Sequence, residues 1–286
     1  MEFWLVTTDH LSDRIWFRDD EDFKMGMNLV AILAYVSGVD ILSFELMSNH
    51  VHFVLCCSNR QAKRFIDAYK KRYSQYLSKR YGTRDFLRKV SVDIRSIDGM
   101  NESLERAIAY VQMNCVAARI CLNPAFYPWG TGSCFFRGKP AKGRRIDTMS
   151  GRSLRRLLHS TEVLPPHFLV GEDGYILPEC YVRVQWVESI FRTPQRMDYF
   201  LRNSSKAKQR LDSDDKAPSF KDQLVQAAIP DLCQSLFRKN TLAELDEDQK
   251  AELIKQLRFR FSSNIHQLMR VTGLSYETVV ILLDKV

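Results

Sequence analysis

Hydrophobic and polar positions along the first 130 residues change period several times. Residues 3–8 (FWLVTT) form a short apolar, β-branched run that predicts a strand. Residues 20–37 open on acidic side chains and continue with apolar positions at helical spacing, the pattern of a helix. Two apolar runs follow, 41–47 (ILSFELM) and 50–56 (HVHFVLC), separated only by Ser48-Asn49, which predicts a tight hairpin. Residues 60–81 read as a long basic helix, 90–97 as an alternating strand, and 101–118 as a further helix with Asn101 as its N-cap. Strand, helix, hairpin, helix, strand, helix in that order implies an α+β fold, an antiparallel sheet with flanking helices.

Beyond residue 137 the pattern weakens. Residues 137–160 carry eight Lys and Arg against the single acid Asp147, and read as a linker or a segment touching nucleic acid. Residues 165–203 predict a short strand pair around GYILPECYVRV and a helix. The polar stretch 202–219 marks a second linker, and 220–286 is helical. Its end, SSNIHQLMRVTGLSYETVVILLDKV, has the spacing of a helix-turn-helix, with Tyr276, Glu277 and Thr278 opening the second helix. A helical pair turned at a glycine is equally a packing motif. The expected organisation is therefore a domain over 1–137, a basic linker with a small accessory α/β segment over 138–203, and a mainly helical unit over 220–286.

Composition narrows the class. The 286 residues are 45% hydrophobic and 27% charged, values of a globular chain. Lys and Arg outnumber Asp and Glu by 42 to 34, which suits a polyanionic partner. No apolar run approaches the ~20 residues of a membrane span, so no membrane partner is expected. The amino terminus, MEFWLVTTDHLSDR, lacks the basic start and apolar core of a signal peptide. Seven cysteines with no CxxC pair predict reduced thiols and a cytoplasmic protein.

The chemistry concentrates at ELMSNHVHFVL (45–55), which places two of only six histidines one residue apart. Side chains alternate along a strand, so His50 and His52 share a face and both can reach one cation. They can equally be two hydrogen-bonded histidines without a metal, or join Cys56 or Cys57 in a zinc site. On the helix over 101–118, Tyr110 and Asn114 stand four apart and share a face, whereas Gln112, a rival third ligand, points away from it. Two neutral imidazoles and an amide oxygen leave room for phosphate oxygens, a set suited to Mg²⁺ or Mn²⁺.

LMSNHVHFVL, AYVQMNCVAARI and YPWGTGSCFF, in that order, resemble three segments of the HUH-type single-tyrosine transposases, including the REP-associated tyrosine transposases. The similarity spans roughly residues 1–137. It implies a ferredoxin- or RRM-like HUH domain in which His50, His52 and Asn114 bind metal and Tyr110 is the nucleophile. The implied activity is metal-dependent nicking and joining of single-stranded DNA, through a 5′-phosphotyrosine link, at sites associated with hairpins. Homodimers occur in the wider family. Two residues depart from its pattern: Ser48 and Cys115 stand where it usually has proline. Alternatives are a DNA-binding regulator without catalysis and a rolling-circle replication initiator.

The basic helix offers DNA contacts through Arg60, Lys63, Arg64, Lys70, Lys71, Arg72, Lys79 and Arg80, interleaved with aromatic residues. Duplex contacts are expected from Tyr276 and Thr278 in the carboxyl-terminal unit.

Overall fold

Strand β1 (Phe3–Thr8) runs antiparallel between β3 (His50–Cys56) and β4 (Val92–Ile97), and β3 pairs antiparallel with β2 (Asp40–Met47). The sheet order β2-β3-β1-β4, with α1 (Asp20–Ser37) after β1 and α2 (Asn59–Tyr81) after β3, is the ferredoxin-like arrangement. These details come from a computed structural model that describes residues 1–8, 15–82, 87, 90–99, 102–204, 220, 222–261, 263 and 265–284. Asn101 and most of the 202–219 linker lie outside the described residues.

Strand alternation divides the sheet into two faces. Val51, Phe53 and Leu55 face α1 and α2, where the Phe53 ring meets Phe65 at 5.1 Å and Tyr69 at 5.8 Å. His50 and His52 face the opposite way, toward α3 (Ser103–Gln112). Local signals fix the helix ends. Asp19 caps α1 by accepting from the Asp22 amide, Ser58 and Gln61 close α2 in a capping box, and Gly38 and Gly82 end the two helices at positive φ.

Parts of the segment 138–203 pack against the amino-terminal elements. Helix α5 (Gly151–Leu158) lies on α1, where Leu158 packs with Ala31 and Ile32. Helices α6 (Val184–Phe191) and α7 (Pro194–Arg202) bury Val187, Phe191, Met197 and Phe200 in the main core behind α3. The single helix expected there is two, because Thr193 caps a new start and Pro194 occupies its first turn. Of the short strand pair, Leu169–Val170 pairs with Arg144–Arg145 rather than mainly with its own hairpin neighbour.

The carboxyl-terminal helices α8 (Asp222–Phe237), α9 (Glu247–Phe261), α10 (Ile265–Thr272) and α11 (Tyr276–Asp284) build a second core around Leu257, Phe261, Leu268 and Val279. That unit docks on the β2–β3 hairpin: the Ser48 hydroxyl donates to the Arg260 carbonyl, and the Arg260 guanidinium pairs with Asp20. Ser48 thus ties the hairpin to that unit. No helix among the described residues is long and apolar enough to cross a membrane.

Candidate active site

His50 and His52 open β3, and their rings meet edge to face with centroids 4.7 Å apart. Each has its Nδ1 engaged. The His50 Nδ1 lies 2.6 Å from Asn49 Oδ1, an acceptor, which leaves the lone pair on Nε2. The His52 Nδ1 lies 3.0 Å from the Thr7 hydroxyl on β1, its register partner. When that nitrogen donates, the His52 Nε2 likewise carries the lone pair. Hydrogen bonds on one ring nitrogen that orient the other are what a metal-binding imidazole needs.

Tyr110 projects from α3 with its ring 6.0 Å from that of His52, at 89°. The two sequence motifs are therefore joined within one chain. The phenol is half-buried, and burial raises its pKa above the usual value, partly offset by Arg95. A phenol so placed is a weak nucleophile until it loses its proton.

One turn on, α3 breaks at Met113 and a short helix, α4 (Asn114–Ala117), begins. The Asn114 amide nitrogen donates at 3.0 Å to the carbonyls of both Tyr110 and Val111, which leaves its Oδ1 as the atom for a cation. Gln112 is buried, and neither amide atom has a hydrogen-bond partner among the described residues.

The break is held by a residue that the sequence did not single out. Glu45 lies opposite His52 on β2, on the same face, and is 2% exposed. Its carboxylate accepts from the Cys115 amide at 2.6 Å. Cys115 stands where the resemblance expects proline, so it brings an N–H that proline lacks, and Glu45 satisfies it. Strand alternation alone puts Glu45 on the His52 face, although the run around it is apolar. The third motif segment seals the same edge of β2. Leu46 N–H donates to Trp129 O at 2.8 Å, Thr131 N–H to Phe44 O at 3.1 Å, and the Tyr127 hydroxyl to Leu46 O at 2.6 Å. A Cβ at Gly130 would lie 3.0 Å from Phe44 O, a tight contact that glycine relieves.

Imidazole nitrogens and an amide oxygen are donor types that a divalent cation such as Mg²⁺ or Mn²⁺ accepts. The zinc alternative fails. No group of three His, Cys, Asp or Glu side chains among the described residues is placed to hold a metal. Burial also raises the Cys56 thiol and takes Cys57 up to about 11, so neither is a ready thiolate.

Helix α2 covers the sheet face opposite His50 and His52, so its side chains cannot line that pair. Arg80 is tied to Asp19 at 2.6 Å and Asp22 at 2.5 Å and locks α2 onto the start of α1. Arg72 pairs with Glu162, and Lys70 donates to Val90 O while burial lowers its pKa. Arg60, Lys63, Arg64, Lys71 and Lys79 are exposed. Of the interleaved aromatics, Phe65, Tyr69 and Tyr73 are fully buried. In the carboxyl-terminal unit, Gly273 at φ 74 turns α10 into α11 as expected. The Thr278 hydroxyl is held by Ser275 at 2.8 Å, Tyr276 is exposed, and α11 carries no Lys or Arg. Its face lacks the charge that a phosphate backbone favours.

No curated protein matches the chain. Among solved structures it is similar to a chain described as "REP associates tyrosine transposase bound to a REP hairpin". That match has 10% identity and a TM-score of 0.36 over 46% of this chain and 78% of the other, too slight a likeness to bear on the site. Residues 15–112 match the model of a family described as "Transposase IS200 like", a span that includes both histidines and Tyr110. The matched span covers about a third of the chain and lies within its amino-terminal domain, which is similar to the IS200-like transposases.

Proposed function

We propose that the protein nicks and rejoins single-stranded DNA with Tyr110 as nucleophile and His50, His52 and Asn114 as the residues that hold a divalent cation. The observation that carries this reading is the 6.0 Å approach of the Tyr110 ring to His52, itself 4.7 Å from His50, within a single chain. The Tyr110 oxygen attacks the phosphorus and forms a phosphotyrosine ester. The bond from phosphorus to the 3′ oxygen breaks, that oxygen gains a proton, and the phenol proton passes to solvent. The reverse reaction, with the 3′-hydroxyl of another strand, transfers DNA and frees the tyrosine. No nucleotide hydrolysis is needed, because the ester conserves the phosphodiester bond energy. A bound Mg²⁺ or Mn²⁺ would supply charge stabilisation at the phosphate oxygens. Asn114, tethered through its neighbour Cys115 to Glu45, is placed by the strand that also neighbours His52.

Labelled single strands carrying imperfect hairpins from DNA flanking the gene, incubated with Mg²⁺ or Mn²⁺, test the reading. A protein–DNA adduct that survives denaturation is the expected result, and Tyr110→Phe abolishes it. An adduct that persists in Tyr110→Phe rejects the assignment. The match to a transposase family favours transposition over replication initiation, and joining of donor to target strands is the assay that separates them.

A further inference from the structure

The strand registers lay one row of polar side chains across the sheet face that carries the histidines. Glu45 on β2 stands opposite His52 on β3, His52 opposite Thr7 on β1, and Thr7 opposite Asp93 on β4. Arg95, two residues further along β4, shares that face and stands opposite Leu5. The Arg95 Nε pairs with Asp93 Oδ2 at 2.5 Å, so the terminal nitrogens of the guanidinium are the ones that can fork onto an anion. The two side chains are 73% and 51% exposed, within reach of a ligand lying on this face. Helix α3, which carries Tyr110, packs over β4 as well as over β2 and β3. Arg95 is near enough to the phenol for its charge to oppose the rise that burial gives the Tyr110 pKa. It thus sets a fixed positive charge beside the nucleophile.

The geometry points to Arg95 as a further catalytic residue, one that binds a non-bridging oxygen of the phosphate under attack while Asp93 holds the guanidinium in place. The inference rests on the nuclease reading for the identity of that phosphate. Attack by the Tyr110 oxygen gathers negative charge on the phosphate oxygens. A guanidinium already in place stabilises that charge and keeps its own proton throughout. Arg95 comes from β4, across β1 from the histidines on β3, so the two sets of groups do not compete for one position. The side chains assigned to the cation, two imidazoles and an amide, are neutral, and the basic residues of α2 lie on the other face of the sheet. Arg95 supplies the charge that neither set brings.

Two measurements on the full chain test it. In the Tyr110→Phe protein, which reaction cannot consume, phenylglyoxal labelling of arginines is read by mass spectrometry with and without a hairpin-bearing single strand and Mg²⁺. The strand is expected to slow labelling of Arg95 by about fivefold or more and to leave the exposed Arg192 and Arg202 unchanged. In the second measurement, Arg95→Ala is expected to lower the rate of adduct formation at saturating strand on the order of a hundredfold, with the half-saturating strand concentration changed less than about threefold. Arg95→Lys keeps the charge and loses the fork, and should recover about tenfold of that loss. The labelling is made with Arg95 intact, so it does not depend on how the alanine variant folds. Undiminished labelling of Arg95, or an Arg95→Ala rate within about threefold of wild type, would overturn the proposal. Protection of Arg95 in a protein whose wild type forms no adduct would reject the nuclease reading and leave the phosphate contact standing.

Discussion

Glu45 and Cys115 form a pair whose coupling can be measured. Cys115 is 0% exposed and Glu45 is 2% exposed, so water does not replace either partner of their 2.6 Å hydrogen bond. Glu45→Leu leaves a buried N–H without an acceptor, a loss of about 1–3 kcal/mol. Cys115→Pro removes a donor to a buried carboxylate, a loss of about 1–3 kcal/mol. The double substitution removes both polar groups together and restores the proline that the family pattern carries. Its cost should fall short of the sum of the singles by about 1–3 kcal/mol. Glu45→Gln keeps an acceptor oxygen and should lose under about 1.5 kcal/mol. Urea denaturation of the four variants gives the cycle, with the midpoint shift read at constant slope. The same bond fixes where α4 begins and hence where Asn114 stands. Adduct yield at limiting Mn²⁺ should therefore fall in Glu45→Leu, recover at high Mn²⁺, and be near wild type in Glu45→Gln. Strict additivity of the two single losses would refute the argument that these residues compensate each other.

Other consequences follow from neighbouring contacts. Ser48→Pro removes the hydroxyl that holds Arg260 O, so amide exchange in 247–261 should quicken by about tenfold, with a stability loss of about 1 kcal/mol. Asp22 is buried beside Asp19, and its pKa rises from 3.8 to about 6 despite Arg80. The folded state then holds a proton that the unfolded chain releases between pH 4 and 6. Stability should drop as pH climbs through that window, by on the order of 3 kcal/mol at most, and Asp22→Asn should flatten the profile. Gly130→Val drives a side chain into Phe44 O and should lower the melting temperature by several degrees, as calorimetry would show. The raised pKa of the Tyr110 phenol slows attack at neutral pH, so the initial rate of adduct formation should increase with pH above 7.

The amino-terminal sheet and its helices were legible because each element carries its own period and punctuation. The run 20–37 even shows that α1 is covered on most sides, since it is apolar nearly all round and is buried from Met25 to Ala34. The histidine pair and the Tyr110–Asn114 spacing were legible for the same reason, as each depends on one element's geometry. What sequence concealed was long-range pairing. Arg80 looks like solvated charge until Asp19 and Asp22, some sixty residues earlier, arrive beside it. Helix α5 was hidden because its three arginines equal in number the leucines that seat it on α1. Glu45 became significant only when Cys115 came within 2.6 Å.

The most direct test of the central claim is to trap the adduct on a single-stranded substrate with Mn²⁺, digest it, and map the modified peptide by mass spectrometry. The account predicts a phosphonucleotide on Tyr110, with yield lost in His50→Ala and His52→Ala. Modification of any other tyrosine, or full yield without the histidines, would contradict it.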